Sequence, residues 1–471
     1  MDERRASSSI GSAPKAATAS GKARVLFACL LVVQAALALI QPPSPFVGDE
    51  PYYVAKARYL FEHHRFAPAA TAALAAERGQ TAGTSDWRPQ GYPLFVALCS
   101  LGDFDAATLR SRVTIVQFLL LAAALWWLFL TLCRFTPSPR RHFLIAVLLA
   151  GLPWPFEFVS LIGADSLTVS LFLFATLLLW RRSFVAGSLL ASATFLLRPE
   201  MIVLVPVVVG TAVLLEPRRR VRHALLTALA FFAVIGLQVS YRVWFTGEWK
   251  PSIFGGLHIV DRGAFAWVHT WLNTENEAYD FVYGLTNGRL ITKLPDRAFA
   301  DKSERDAVTG VLQRVRKEGY STSADAVFAS VAEKRRREAP IRNVVIPRLW
   351  RTVHLWVNVE TNSQLLHALA AIPRPVRRAL LGMLLLLKIA LVLAFPFAAV
   401  RRFGRDDLGR LVALMAVVVV SRTLLIGMAL NWMAHRYMLV AWPHLLGVVS
   451  APRNEATAAS SDGVSRHDAM L

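Results

Sequence analysis

Asp49 and Glu50 stand side by side in Gly48-Asp49-Glu50-Pro51-Tyr52-Tyr53, just after the first long apolar stretch of the chain. Carboxylates at the mouth of a membrane span are costly to keep there, so ionisable groups at that depth are functional candidates. One of them could act as general base toward an acceptor hydroxyl. Both could instead cap a helix, since an acidic residue suits the N-cap and Pro51 the first turn. The local residues leave these two readings even. Either way the sequence predicts a short helix over 51–64, lying along the membrane surface. Successive helical positions point in different directions, so the two carboxylates need not share a role.

Basic groups recur at matching places. Arg88 lies in Trp87-Arg88-Pro89-Gln90-Gly91-Tyr92-Pro93, where two prolines bracket a turn. Arg110 and Arg112 open the second apolar stretch, Arg198 lies in Arg198-Pro199-Glu200, and Arg436 in His435-Arg436-Tyr437. A guanidinium offers a planar fork that matches a phosphate. The same side chain can also be an interface anchor, as Trp87 beside Arg88 or Tyr437 beside Arg436 would allow. Asp165, in Gly163-Ala164-Asp165-Ser166, suits an N-cap. Arg198 and Glu200 can pair with each other. His63-His64 does not have metal-ligand spacing on one helix face, so no metal is assigned. The run Glu333-Lys334-Arg335-Arg336-Arg337 reads as a solvated face.

Long apolar elements must position these groups. The chain has 471 residues, 55% of them hydrophobic, and a mean hydropathy of +0.43. That excess fits a polytopic membrane protein rather than a soluble domain. The net charge of +20 gathers in short loops between apolar stretches, which argues for membrane topology and against nucleic acid. The three cysteines, Cys29, Cys99 and Cys133, form no disulfide or metal framework.

Apolar segments fall at 25–40, 113–133, 143–152, 164–180, 184–215, 224–245, 380–400, 411–430 and 437–449. One straight helix over 184–215 would run about 48 Å, too long for a bilayer core. Arg181-Arg182 and Arg218-Arg219-Arg220 flank it, so it reads as a hairpin with Arg198 at the turn. The total is about ten spans, with basic clusters following the even-numbered ones. Both termini then face the cytoplasm, and 42–109 and 246–378 lie outside. The organisation expected is a tail over 1–22, a membrane module over 23–245 with the loop 42–109, an outer region over 246–378, membrane helices over 379–450 and a tail over 451–471. Within the outer region 306–319 and 324–338 read as helices, and 349–359 as a segment that dips into the interface.

Taken in order, these motifs resemble the membrane glycosyltransferases of the GT-C fold. The bacterial relatives of the protein O-mannosyltransferases and the lipid A aminoarabinose transferases are the nearer likeness. Those families carry an Asp-Glu pair in the first outer loop, here Asp49-Glu50. A basic, Pro-rich motif comes later in that loop, here Arg88-Pro89-Gln90-Gly91-Tyr92-Pro93. An Arg near the start of the second span is best matched by Arg112. Arg198-Pro199-Glu200 and Arg436-Tyr437 are familiar in the bacterial members. Gln90 departs from the pattern, standing where a second proline is common.

The resemblance implies an all-α, GT-C-like membrane enzyme with juxtamembrane helices in its first outer loop. It implies a sugar donor on a polyprenyl phosphate and transfer with inversion outside a bacterial cytoplasmic membrane. The acceptor would be a glycan, a lipid or a protein, and no cofactor is expected. Asp49 would be the base, with Glu50 orienting it or the acceptor. Arg88, Tyr92, Arg112, Asp165, Arg198 and Arg436 would form the donor and lipid-phosphate site. Two alternatives stand beside it. A ligase or polymerase of polyprenyl-linked glycans would lack the early Asp-Glu pair. A lipid or sugar transporter would place more charge within the spans than Lys388 and Arg422.

Overall fold

Ser20 starts the first helix: its hydroxyl accepts the backbone N–H of Ala23 at 3.3 Å, satisfying a donor that a helix N-terminus leaves open. This helix is α1 (Gly21–Leu39). It is followed by α2 (Glu50–His63), the expected juxtamembrane helix, which opens on Glu50 itself. The computed structural model describes residues 19–40, 50–64, 89–216, 220–246, 263–272, 278, 281–282, 284–285, 294–357, 372–403, 406–429 and 438–452. Asp49, Arg88 and Arg436 lie outside the described residues, as do both tails apart from 19–22 and 451–452.

The chain continues through α3 (Gly91–Ser100), α4 (Ala106–Cys133), α5 (Pro139–Ala150), α6 (Ala164–Trp180), α7 (Phe184–Ala193), α8 (Met201–Leu214) and α9 (Arg220–Thr246). Residues 263–357 supply α10 (Gly263–Val268), α11 (Lys302–Glu318), α12 (Thr322–Glu338) and α13 (Ile346–Val357). Then come α14 (Arg374–Arg402), α15 (Asp407–Thr423) and α16 (Ala441–Ser450). Among the described residues there is no strand.

Where they are described, the expected apolar segments are mainly helical. Five helices are long and apolar enough to cross a bilayer, at Gly21–Leu39, Ala106–Cys133, Arg220–Tyr241, Arg374–Arg402 and Asp407–Gly427. The chain is thus a multi-pass membrane protein. The shorter apolar helices α6, α7 and α8 pack among these five around a shared core. The 184–215 segment folds back as expected. After α7 a tight turn at Thr194–Leu196 leads to Arg198 and Glu200, and α8 returns from there. Asp105 caps α4 by accepting the Thr108 N–H at 3.0 Å. That cap starts the helix seven residues before the apolar run, so Arg110 and Arg112 both ride on it.

One end of the bundle gathers the starts of α4 and α6 and the turn at 198–200. At the other end Arg182 and Arg410 both reach Glu216, at 3.0 and 3.6 Å. Trp180 Nε1 there donates to the Asp407 carbonyl at 2.8 Å. The basic clusters at 181–182 and 401–402 thus share the end opposite Glu50.

Helices α10, α11 and α12 have their own small core, with Trp267, Val308, Val311, Phe328 and Ala332 fully buried. Arg335 departs from the solvated face expected of its charge run. It is buried, and its Nε donates to Glu304 at 2.9 Å, Nη1 to Thr270 at 2.6 Å and Nη2 to the Ala298 carbonyl at 2.7 Å. The run spans more than one turn of α12, so one of its residues must face inward. Arg335→Lys keeps the charge but loses the fork, and should cost about 1–3 kcal/mol. Thermal unfolding of the purified protein checks this.

His269 is buried in the same region, and neither ring nitrogen has a hydrogen-bond partner among the described residues. Burial, and then the charges of Arg351 and Arg336, hold its imidazole well below the ordinary 6.5. The folded state therefore stays neutral where the unfolded chain takes up a proton. Stability is full above the unfolded value of about 6.5 and falls as pH drops below it. Protection against hydrogen exchange in 263–338, taken relative to the intrinsic rate, should fall in acid, and His269→Phe should flatten that dependence.

Candidate active site

Helix α2 is held by aromatic and aliphatic packing. Tyr53, Val54 and Ala57, at helical spacing, are buried against Tyr92 and Val96 of α3 and Val113 of α4. The Tyr53 and Tyr92 rings meet edge to face at 4.7 Å. The motif that carries Tyr92 depends on its glycine. A Cβ on Gly91 would stand 2.6 Å from the Leu196 carbonyl oxygen, so α3 can approach the 194–196 turn only without a side chain there. Gly91→Ala should cost about 1–3 kcal/mol and shift α3, read as lost thermal stability.

Glu50 is 3% exposed and both of its oxygens are engaged. Arg110 Nη2 lies 2.6 Å from Oε2, and the backbone N–H of Ile162 donates to Oε1 at 2.9 Å. A buried ion pair holds only when geometry and further hydrogen bonds offset the loss of water, and the Ile162 amide supplies one such bond. The loop bearing that amide is itself tied down. Gln117 Nε2 donates to the carbonyls of Val159 and Leu161, each at 3.0 Å, and its Oε1 accepts from Tyr92 Oη at 3.3 Å. Tyr92 is thus an interior strut that connects α3, α4 and the loop above Glu50.

The two arginines at the start of α4 part company. Arg110, Thr114 and Gln117 are buried on one face, at i, i+4 and i+7. Arg112 lies on the other side. It donates to the Ser100 carbonyl and sits 3.8 Å from Asp103, bracing the α3–α4 turn. Sequence reasoning favoured Arg112. The polar spacing of Arg110, Thr114 and Gln117 is the signal that could have pointed to Arg110.

A second charged cluster lies at the same end. Arg198 bridges Asp165 and Glu200, with Nε 2.6 Å from Glu200 Oε1. Arg422 of α15, wholly buried, reaches the same oxygen at 3.1 Å. Asp165 is in the first turn of α6 and Gly163 is the cap residue, so the N-cap reading of Asp165 is corrected: its carboxylate is drawn to Arg198. Ile162 is three residues from Asp165, so the two clusters adjoin.

Two lysines are also buried. Lys56 on α2 is 1% exposed, with Nζ 3.5 Å from Gln90 Oε1 and 4.8 Å from the Tyr52 ring centre. It was not singled out from the sequence, although it shares the inward face of Tyr53 and Ala57. Lys388 of α14 lies over the rings of Trp442 and Trp154, at 5.2 and 5.9 Å. Among the described residues no group of His, Cys, Asp or Glu could hold a metal ion. The arrangement fixes Glu50 rigidly and sets Arg110, Arg198, Arg422 and Lys56 at the end of the bundle where it lies. Such a place can orient a base and bind an anion.

No protein-family model matches this chain, and no curated protein sequence does. Solved structures resemble it at low identity. The Archaeoglobus fulgidus oligosaccharyltransferase, crystallised with a tethered acceptor peptide containing the NVT sequon, is 11% identical with a TM-score of 0.45. The match covers 90% of this chain and 49% of that one, so the chain spans about half the length of that protein. ArnT from Cupriavidus metallidurans bound to undecaprenyl phosphate is 12% identical, with a TM-score of 0.40, covering 92% of this chain and 78% of that one. Its apo form gives 14% and 0.38, covering 91% and 77%.

Proposed function

We propose that this protein is an integral membrane glycosyltransferase of the GT-C kind, moving a hexosyl or pentosyl group from a polyprenyl-phosphate donor to an acceptor hydroxyl. The observation that carries the reading is the immobilised Glu50, held by Arg110 and the Ile162 amide. Asp49 adjoins it in the chain, with its Cα about 3.8 Å away across one peptide. A fixed neighbour of this kind suits a general base, whose efficiency depends on position. Glu50, with both oxygens engaged, orients rather than reacts.

In the reaction the acceptor oxygen attacks C1 of the sugar from the face opposite the phosphate. The C1–O bond to phosphate breaks, the new C1–O bond forms with inversion, and Asp49 takes the hydroxyl proton. The leaving group is polyprenyl phosphate, whose charge needs preset cations. Arg88 and Arg436 are proposed for this contact, with Arg112 at its margin and Tyr92, Asp165 and Arg198 framing the donor site. The basic clusters at the opposite end of the bundle favour a cytoplasmic location for that end, which turns Glu50 outward from a bacterial inner membrane.

Two experiments test the reading. Purified protein in proteoliposomes should release polyprenyl phosphate from a panel of hexose- and pentose-linked polyprenyl phosphates, in step with glycosylated acceptor. An unchanged donor, moved from one leaflet to the other, would show a transporter instead. For the topology, a cysteine introduced at Gly310 should be labelled from outside intact cells and one at Arg219 should not. The reverse pattern would place Glu50 in the cytoplasm.

A further inference from the structure

Helix α13 is amphipathic in the sense opposite to that of a helix beside water. Ile346, Leu349, Trp350 and Val353 recur at i, i+3, i+4 and i+7 and form one stripe. They are 55%, 52%, 54% and 54% exposed. Arg351, Leu355 and Trp356 point inward and are buried. The turn before the helix adds Ile341 and Val345 to the exposed set. A contiguous apolar face of this kind marks a surface that something covers.

The inward face of α13 shows where it sits. Trp356 Nε1 donates to Thr423 Oγ1 at 3.2 Å, at the end of the membrane-spanning α15. A Cβ on Gly427 would collide with Thr352, so helix and span are in direct contact. Arg422, beside Thr423, reaches Glu200, which places α13 at the Glu50 end of the bundle. Leu424 and Val420 on the same span are exposed and apolar, so the stripe continues a surface that already faces lipid. At 12 residues the helix is about 18 Å long, too short to cross a bilayer and long enough to lie along it. Arg342 and Arg348, on the same segment, have the reach to meet lipid phosphates while their stems stay in the apolar layer. On its far side Arg351 Nη2 donates to the His269 carbonyl at 3.1 Å, and so ties α13 to the unit formed by α10, α11 and α12.

We propose that α13 is a membrane-interface anchor. Its stripe of Ile346, Leu349, Trp350 and Val353 lies in the acyl region of the leaflet at the Glu50 end, with Arg342 and Arg348 at the phosphates. It holds α10, α11 and α12 at a fixed height over the bilayer, where a lipid-borne donor would present its sugar. The inference rests on the membrane assignment of α15 and not on the identity of the reaction.

Spin labelling in nanodiscs of phosphatidylethanolamine and phosphatidylglycerol tests it. With Cys29, Cys99 and Cys133 replaced by alanine, a label is placed at Val353→Cys, Val420→Cys or Gly310→Cys. Its collision rates with oxygen and with a water-soluble nickel chelate are then measured. The label at 353 should match that at 420, with oxygen favoured over nickel, while 310 shows the reverse. Nickel access at 353 equal to that at 310 overturns the anchor. Exclusion of both relaxants at 353 shows protein cover, such as a second copy, and overturns it equally. Nickel access at 420 itself would overturn the span and the anchor together. A doubly substituted Leu349→Asp, Val353→Asp protein, folded by size-exclusion chromatography, should show increased nickel access at a label on Ile346→Cys and faster hydrogen exchange in α13. Unchanged values would contradict the anchoring role.

Discussion

Asp49→Asn should lower sugar transfer by about 10²–10⁴-fold, which is roughly 3–5.5 kcal/mol of barrier, and leave the protein folded. Asparagine is nearly isosteric with aspartate and caps a helix as well. It cannot take the acceptor proton. If Asp49 were only a helix cap the pattern would invert, with Asp49→Asn active and Asp49→Ala less stable. Initial transfer rates and thermal midpoints of the three proteins, measured side by side, separate these cases. An Asp49→Asn protein with native stability and native rate would end the catalytic reading.

The second large effect is expected at the Glu50–Arg110 pair. Arg110→Ala leaves Glu50 buried with its ion-pair partner removed. Breaking a buried pair in this way typically costs about 3–5 kcal/mol. Glu50 would then take up a proton or swing outward, and the start of α2 would move with it. Transfer should fall because Asp49 loses its fixed neighbour, as a displacement of about 1 Å can cost 10²-fold. Glu50→Gln combined with Arg110→Met removes both charges and should recover much of the stability without the activity. Recovery of activity as well would show that the pair serves only the fold. Arg112→Ala offers a contrast, since its partners are the Ser100 carbonyl and a half-exposed Asp103. Its stability loss should be small, as for most surface pairs.

Much of the helical framework was legible from the sequence because apolar runs and their stops are strong local signals. The hairpin at Arg198 followed from length and flanking charge alone. Helices α11 and α12 were read from helix start and stop signals, with starts within four residues of those observed at Lys302 and Thr322. What the sequence concealed was helical phase. Arg110 and Arg112 differ by two positions, about 200° around a helix, and the packing of α4 against α2 and the 159–162 loop decides which faces Glu50. The interior role of Arg335 was hidden in the same way inside a charge run. The Ile162 amide had no side-chain signature at all. A backbone N–H that serves a carboxylate 112 positions away belongs to the tertiary fold. Of the expected site residues, the structure brings Glu50 and Tyr92 into one hydrogen-bonded assembly through Gln117 and the 159–162 loop. It joins Asp165 to Arg198 in a second cluster and sets Arg112 apart.

The Glu50 end of the bundle is proposed to bind a lipid phosphate for sugar transfer, and a density map of the protein in nanodiscs with added polyprenyl phosphate decides it. Phosphate density is expected beside Asp49 and Arg88, with Glu50 still paired to Arg110 and the isoprenoid tail running along the membrane helices. Phosphate bound at the Arg182–Glu216–Arg410 end, or within the bundle beside Lys388, would contradict it.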